Sequence, residues 1–180
     1  GAVALVREYL RKQKKIRSPS AALLKATLIA GAVRLPGYGA KGAVVDNHQG
    51  FGRVNLDAVL APAAPAVAQF LEVRPGLKTG QVRAIEVTLK SAAVPLRVTL
   101  VYTDYPGPTL VNNLNLIMTA PDGKRHVGNQ AAGAALALDA KNNVGVFLEK
   151  PKQEYFKKFK KSKKYINNGI YVLEPKILRQ

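Results

Sequence analysis

Hydrolytic chemistry at a serine asks for a hydroxyl, an imidazole close enough to take its proton, and a carboxylate that orients the imidazole. The chain offers two histidines, His48 and His126, and no cysteine. His48 stands beside Asp46 and Asn47, and His126 follows Lys124 and Arg125 where a strand should leave a Pro-Asp-Gly turn. A lone histidine in a polar segment is ordinarily a solvated or hydrogen-bonded surface residue. Ser18 is explained by helix capping and Ser91 by a turn, and no serine sits in a Gly-x-Ser-x-Gly elbow. The expectation is therefore a chain with no catalytic residue of its own. The lack of cysteine also removes disulfide frameworks and thiolate metal sites.

Electrostatics is the second chemistry open to these residues. The formal charge is +17 over 180 residues, a balance that raises nucleic acid or an anionic surface as a partner. Nine Lys or Arg against two Glu lie between Pro151 and Gln180, and six against one between Gly1 and Arg17, so 12 of the 17 charges sit at the ends. From Tyr155 to Tyr171 the lysines interleave with aromatics, a pattern suited to phosphate contact and base stacking. The same block repels itself and reads equally as a solvated end. A basic module for nucleic acid or an anionic surface stands as the alternative function, although nucleic acid is not the expected partner. No apolar run reaches the roughly 18 to 20 residues that span a bilayer.

The elements that must position these groups begin with helices. Ala2, Val3, Leu5, Val6, Tyr9 and Leu10 recur at helical spacing, with Arg7, Glu8, Arg11 and Lys12 on the other face. The pattern predicts a helix whose start is buried and whose basic end reaches water. Ser18-Pro19 predicts a second helix from Pro19 to about Ala32, capped by Ser18 and ending near Gly31. Gln49 to Leu60 predicts a tight turn followed by a short helix, two glycines letting the backbone pass close to its neighbours.

These segments carry a resemblance. Gly1–Ala2–Val3–Ala4–Leu5–Val6 resembles the continuation of the helix that bears the catalytic serine in subtilisin-like proteases. Ser18–Pro19–Ser20–Ala21–Ala22–Leu23–Leu24–Lys25 is similar to that family's following helix, and Gly50–Phe51–Gly52–Arg53–Val54–Asn55 to its closing turn. The resemblance implies that serine, histidine and aspartate all lie upstream of Gly1. The chain is then expected to be a piece of a larger protein.

Ala61–Pro62–Ala63–Ala64–Pro65–Ala66 favours an extended connection and is taken as the linker. Beyond it the period changes. Val67 to Val73, Arg83 to Leu89, Pro95 to Tyr102 and Leu114 to Thr119 read as strands, with Ile85, Val87 and Leu89 facing one way and Glu86, Thr88 and Lys90 the other. Short strands separated by turn residues argue for an antiparallel sandwich or jelly roll.

A second resemblance follows. Leu100–Val101–Tyr102–Thr103–Asp104, Leu110 to Leu116, Thr119 to Gly123, Val127–Gly128–Asn129 and Asn142–Asn143–Val144 resemble successive motifs of the jelly-roll domain that follows the catalytic domain in one branch of secreted bacterial subtilases. The two resemblances cover about Gly1 to Leu148 in the family's order. They imply a secreted protein, a missing N-terminal catalytic domain as partner, and peptide substrates for the parent enzyme. They also imply a calcium-associated loop, for which Asp104, Asn112, Asn113 and Asp139 are the candidate oxygen donors. Asparagine stands at 113 and 115 where the family has aspartate, leaving two carboxylates; stabilising the turns through side-chain to backbone bonds is the other reading.

After Pro151 the composition moves from Ala, Val, Gly and Leu to Lys, Asn, Ile, Tyr and Phe, as GC-rich codons giving way to AT-rich ones would produce. A reading-frame change, fusion or assembly error accounts for such a shift. The expected architecture is an α+β fragment: residues 1–60 as the end of an α/β subtilisin-like domain, 61–66 as linker, 67–150 as an antiparallel β-sandwich or jelly roll, and 151–180 as a basic tail. A carbohydrate-binding sandwich fits the fold less well, because no tryptophan is present as a sugar platform.

Overall fold

The computed structural model describes residues 1–37, 45, 47–89, 95–104, 106, 111–120, 123 and 125–126, with the backbone of 127, 143–149 and 170–173. Helix α1 (Ala2–Lys12) buries Val6 and Leu10, one turn apart, where they meet Leu23 of helix α2 (Ala21–Ala30). Beyond Gln13 the chain turns through Lys15, whose φ of 58° lies in the left-handed region. That turn lets the Ile16 N–H donate to Leu10 O at 3.0 Å and sets Ile16 against the same apolar cluster.

The start of α1 departs from its expected burial. Val3 is 48% and Leu5 55% exposed. The first turn is apolar on every side, whereas the described neighbours cover a single stripe through Val6 and Leu10.

Helix α2 is capped by Ser20 rather than Ser18. Ser20 is extended (ψ 158°) and its Oγ accepts the Leu23 N–H at 3.1 Å, while Pro19 is buried just outside the helix. The helix stops at Gly31, as expected, where a Cβ would lie 2.3 Å from Asn55 O. Across from it, Val33 and Arg53 exchange two backbone hydrogen bonds of 2.9 and 2.8 Å. Gly52 permits that approach: its φ is 110°, and a Cβ there would meet Val33 O at 2.4 Å. Helix α3 (Asp57–Leu60) follows and buries Val59.

Val67 to Val73 is not the strand its composition predicts; no strand spans it. It packs on both parts instead, with the Phe70 ring edge-on to Tyr9 at 6.1 Å between centroids and Val73 against the cluster of Leu116, Met118 and Ala120. The remaining strands are β1 (Val82–Thr88), β2 (Val98–Val101), β3 (Asn115–Thr119), β4 (Arg125–Val127), β5 (Asn143–Glu149) and β6 (Ile170–Leu173). All pairings are antiparallel, in a four-stranded sheet of order β1-β5-β3-β4 and a two-stranded sheet β2-β6. In β6, Ile170 lies opposite Val101 and Leu173 opposite Val98, so four residues of the basic tail segment form a strand.

In β1, Ile85 and Val87 are half-buried between exposed Ala84, Glu86 and Thr88, the alternation the sequence predicts. They pack with Leu96, Val98 and Leu100 around buried Leu116, Met118 and Ala120. The architecture is thus mixed α+β: helices first, then antiparallel strands, with one apolar cluster in each part among the described residues.

Candidate functional site

The loop between β2 and β3 carries the oxygen-rich residues singled out in the sequence. Strand β2 delivers Tyr102, Thr103 and Asp104 at its end, and Val111, Asn112 and Asn113 lead into β3. Asp104 Oδ1 accepts the backbone N–H of Asn112 at 3.0 Å and the Asn112 side-chain amide at 2.7 Å. Its Oδ2 accepts the Val111 N–H at 3.1 Å and lies 3.2 Å from the Asn112 nitrogen. The Tyr102 hydroxyl donates to Asn112 O at 3.0 Å. Asp104 and Asn112 are thus brought together, with Asn113 half-buried beside them in the chain.

This geometry defines what the loop does chemically. Both carboxylate oxygens face N–H donors, each a charge-assisted hydrogen bond that ties one side of the loop to the other. Calcium needs several oxygens and enough negative charge to offset its dehydration. Among the described residues Asp104 is the carboxylate of this loop, and both its oxygens are turned to N–H donors of Val111 and Asn112, as in a loop staple. Among the described residues no group of three or more His, Asp or Glu is placed to hold a metal. Asp139 lies outside the described residues. Tyr102, which sequence reasoning had placed only at the end of a strand, supplies the second tie. The alternation Leu100, Tyr102, Asp104 along one strand edge was the available signal.

The histidines sit in different parts of the fold. His48 is exposed in a turn of the helical part, and Ser18 is exposed before α2. His126, expected at the surface, is only 7% exposed in β4, opposite Met118, and its Nε2 has no hydrogen-bond partner. The correction follows from strand geometry: Arg125 points out, so the next residue points in. Ser91 lies outside the described residues. Among the described residues, no helix is long and apolar enough to cross a membrane. In comparisons with protein-family models, curated proteins and solved structures, nothing matches this chain.

Proposed function

We propose that the chain is the carboxy-terminal portion of a secreted subtilisin-like serine endopeptidase, inactive alone and serving as a bracing region. The parent enzyme hydrolyses peptide bonds: an upstream serine attacks the carbonyl, with a histidine as base and an aspartate orienting it. Residues 1–60 are the last helices of that catalytic domain, the first of them continuing the helix behind the serine, and the strands, read as a jelly roll, buttress it.

One observation carries this reading. The first turn of α1 is apolar on every side, yet Val3 and Leu5 are left 48% and 55% exposed, as on a helix that lacks a covering layer. Two further features support it. The Gly-aromatic-Gly turn makes a backbone contact only glycine allows, and strands from both sheets contribute to one apolar cluster. At the Asp104 loop the same reading assigns a structural staple.

The coding sequence immediately before Gly1 tests the proposal most directly. A Gly-Thr-Ser-Met-Ala-like segment there is the expected result, and an unrelated stretch removes the reading. Purified chain should leave casein intact. Hydrolysis abolished by a serine-reactive inhibitor would overturn the claim of inactivity.

A further inference from the structure

Helix α2 has no acidic residue in its first turn and no basic residue in its last. Both charges that suit its dipole come from beyond the linker. At the amino end, Glu72 Oε1 accepts the Ser20 N–H at 2.6 Å, across 52 residues of chain. In a capping box the residue three positions past the cap would make that bond, but Leu23 stands there and only donates its own N–H to Ser20 Oγ. Glu72 thus completes a capping box split between two distant segments. At the carboxyl end, Arg97 Nη1 donates to Ala30 O, the last carbonyl of the helix, at 2.6 Å and to Ala32 O, just past its cap, at 3.0 Å.

We propose that α2 is a clasp, closed at both ends by Glu72 and Arg97, that makes the helical part and the strand part open as one unit and that acid releases at its Glu72 end. Anion at the positive end and cation at the negative end both stabilise a helix. Glu72 reaches α2 from a segment that sets Phe70 into the helical cluster and Val73 against the strand cluster, and Arg97 lies between Leu96 and Val98 of the strand cluster. The charged group that meets Glu72 is Arg74, whose Nη2 lies 2.9 Å from Oε2 and 3.5 Å from Ser18 O. Partial burial pushes the Glu72 carboxyl up, but the hydrogen bonds from Ser20 and the Arg74 charge outweigh it, leaving the group below its ordinary 4.5. A depressed carboxylate stabilises the fold above its unfolded value, so the Glu72 contribution is complete above about pH 4.5 and is lost as the pH falls further.

Native-state hydrogen exchange of the full chain, followed by fragment mass analysis at graded urea, tests the clasp. In the wild type, amides of α2 and β3 should open with one urea dependence. Arg97→Met and Glu72→Ala together should let α2 open on its own, its exchange rising roughly tenfold while β3 stays protected. Arg97→Lys, which keeps the charge and loses the planar fork, should fall between. Moving from about pH 6 to about pH 3, with intrinsic rates corrected, should accelerate α2 exchange more in the wild type than in Glu72→Gln. Separate opening of α2 and β3 in the wild type would overturn the proposal, as would unchanged α2 exchange in the double variant. An equal acid response in Glu72→Gln would remove the acid release. None of these outcomes depends on whether the parent is a protease.

Discussion

The helical part and the strand part each close an apolar cluster, but the buried residues of the first lie on two successive helices, which Leu56, Leu60 and Phe70 then join, whereas the second is gathered from separate strands. Val6, Leu10 and Leu23 meet within the first two helices, over a short connection. Leu116, Met118 and Ala120 gather side chains from β1 and β2, and the backbone of β3 pairs with β5 much further on. Local closure costs little loop entropy, whereas strand pairing must close long loops before any contact forms. The difference shows where each part is vulnerable. The helical part depends on a few positions where backbones nearly touch, and the strand part on the long-range register of many pairs.

The most severe way to break that contrast is at Gly52, where an added Cβ would meet Val33 O at 2.4 Å and φ is 110°. Gly52→Ala should cost on the order of 4 kcal/mol or abolish folding, measured by urea denaturation. A loss below about 1 kcal/mol would mean the turn relaxes freely. Next come the two clusters themselves. Leu10→Ala and Met118→Ala each empty a fully buried site and should each cost about 3 kcal/mol. If the parts are clasped, either substitution lowers one shared unfolding transition; two separated transitions would show that the parts stand independently.

A smaller effect is expected at the loop staple. Asp104→Ala leaves the Asn112 and Val111 N–H groups without their acceptor and should lower stability by about 2 kcal/mol. Millimolar calcium should leave the melting temperature of the wild type unchanged. A calcium-dependent rise that Asp104→Ala removes would instead make the loop a metal site. The smallest change should be favourable: Lys15→Gly relieves a left-handed residue at the end of α1 and should raise stability by roughly 0.5 to 1 kcal/mol in the same denaturation assay.

Several elements were legible from residue order because their signals are local. Helical spacing marked α1, Gly31 marked the end of α2, and alternation marked β1 with its half-buried Ile85 and Val87. Where two local signals competed, spacing alone chose wrongly. Ser18-Pro19 has the composition of a helix start, yet Ser20 caps, because its Oγ reaches Leu23 and its N–H meets Glu72. Val67 to Val73 has strand composition, but its apolar side chains pack between clusters, Phe70 on the helical one and Val73 on the strand one, without joining a sheet. At the candidate site, the sequence singled out Asp104, Asn112 and Asn113, whereas their chemistry depended on which atoms face the carboxylate.

By itself, then, the order of residues determined that helices precede strands, that no serine stands in a Gly-x-Ser-x-Gly elbow, and which glycines are needed for tight turns. Only the tertiary structure decided that His126 is buried, that Asp104 is ringed by N–H donors, and that both ends of α2 are met by charges from beyond the linker. The reason is physical: propensity and periodicity act over a few neighbouring residues, while the partner of a buried face or a helix end is chosen among all segments that packing brings within hydrogen-bond reach.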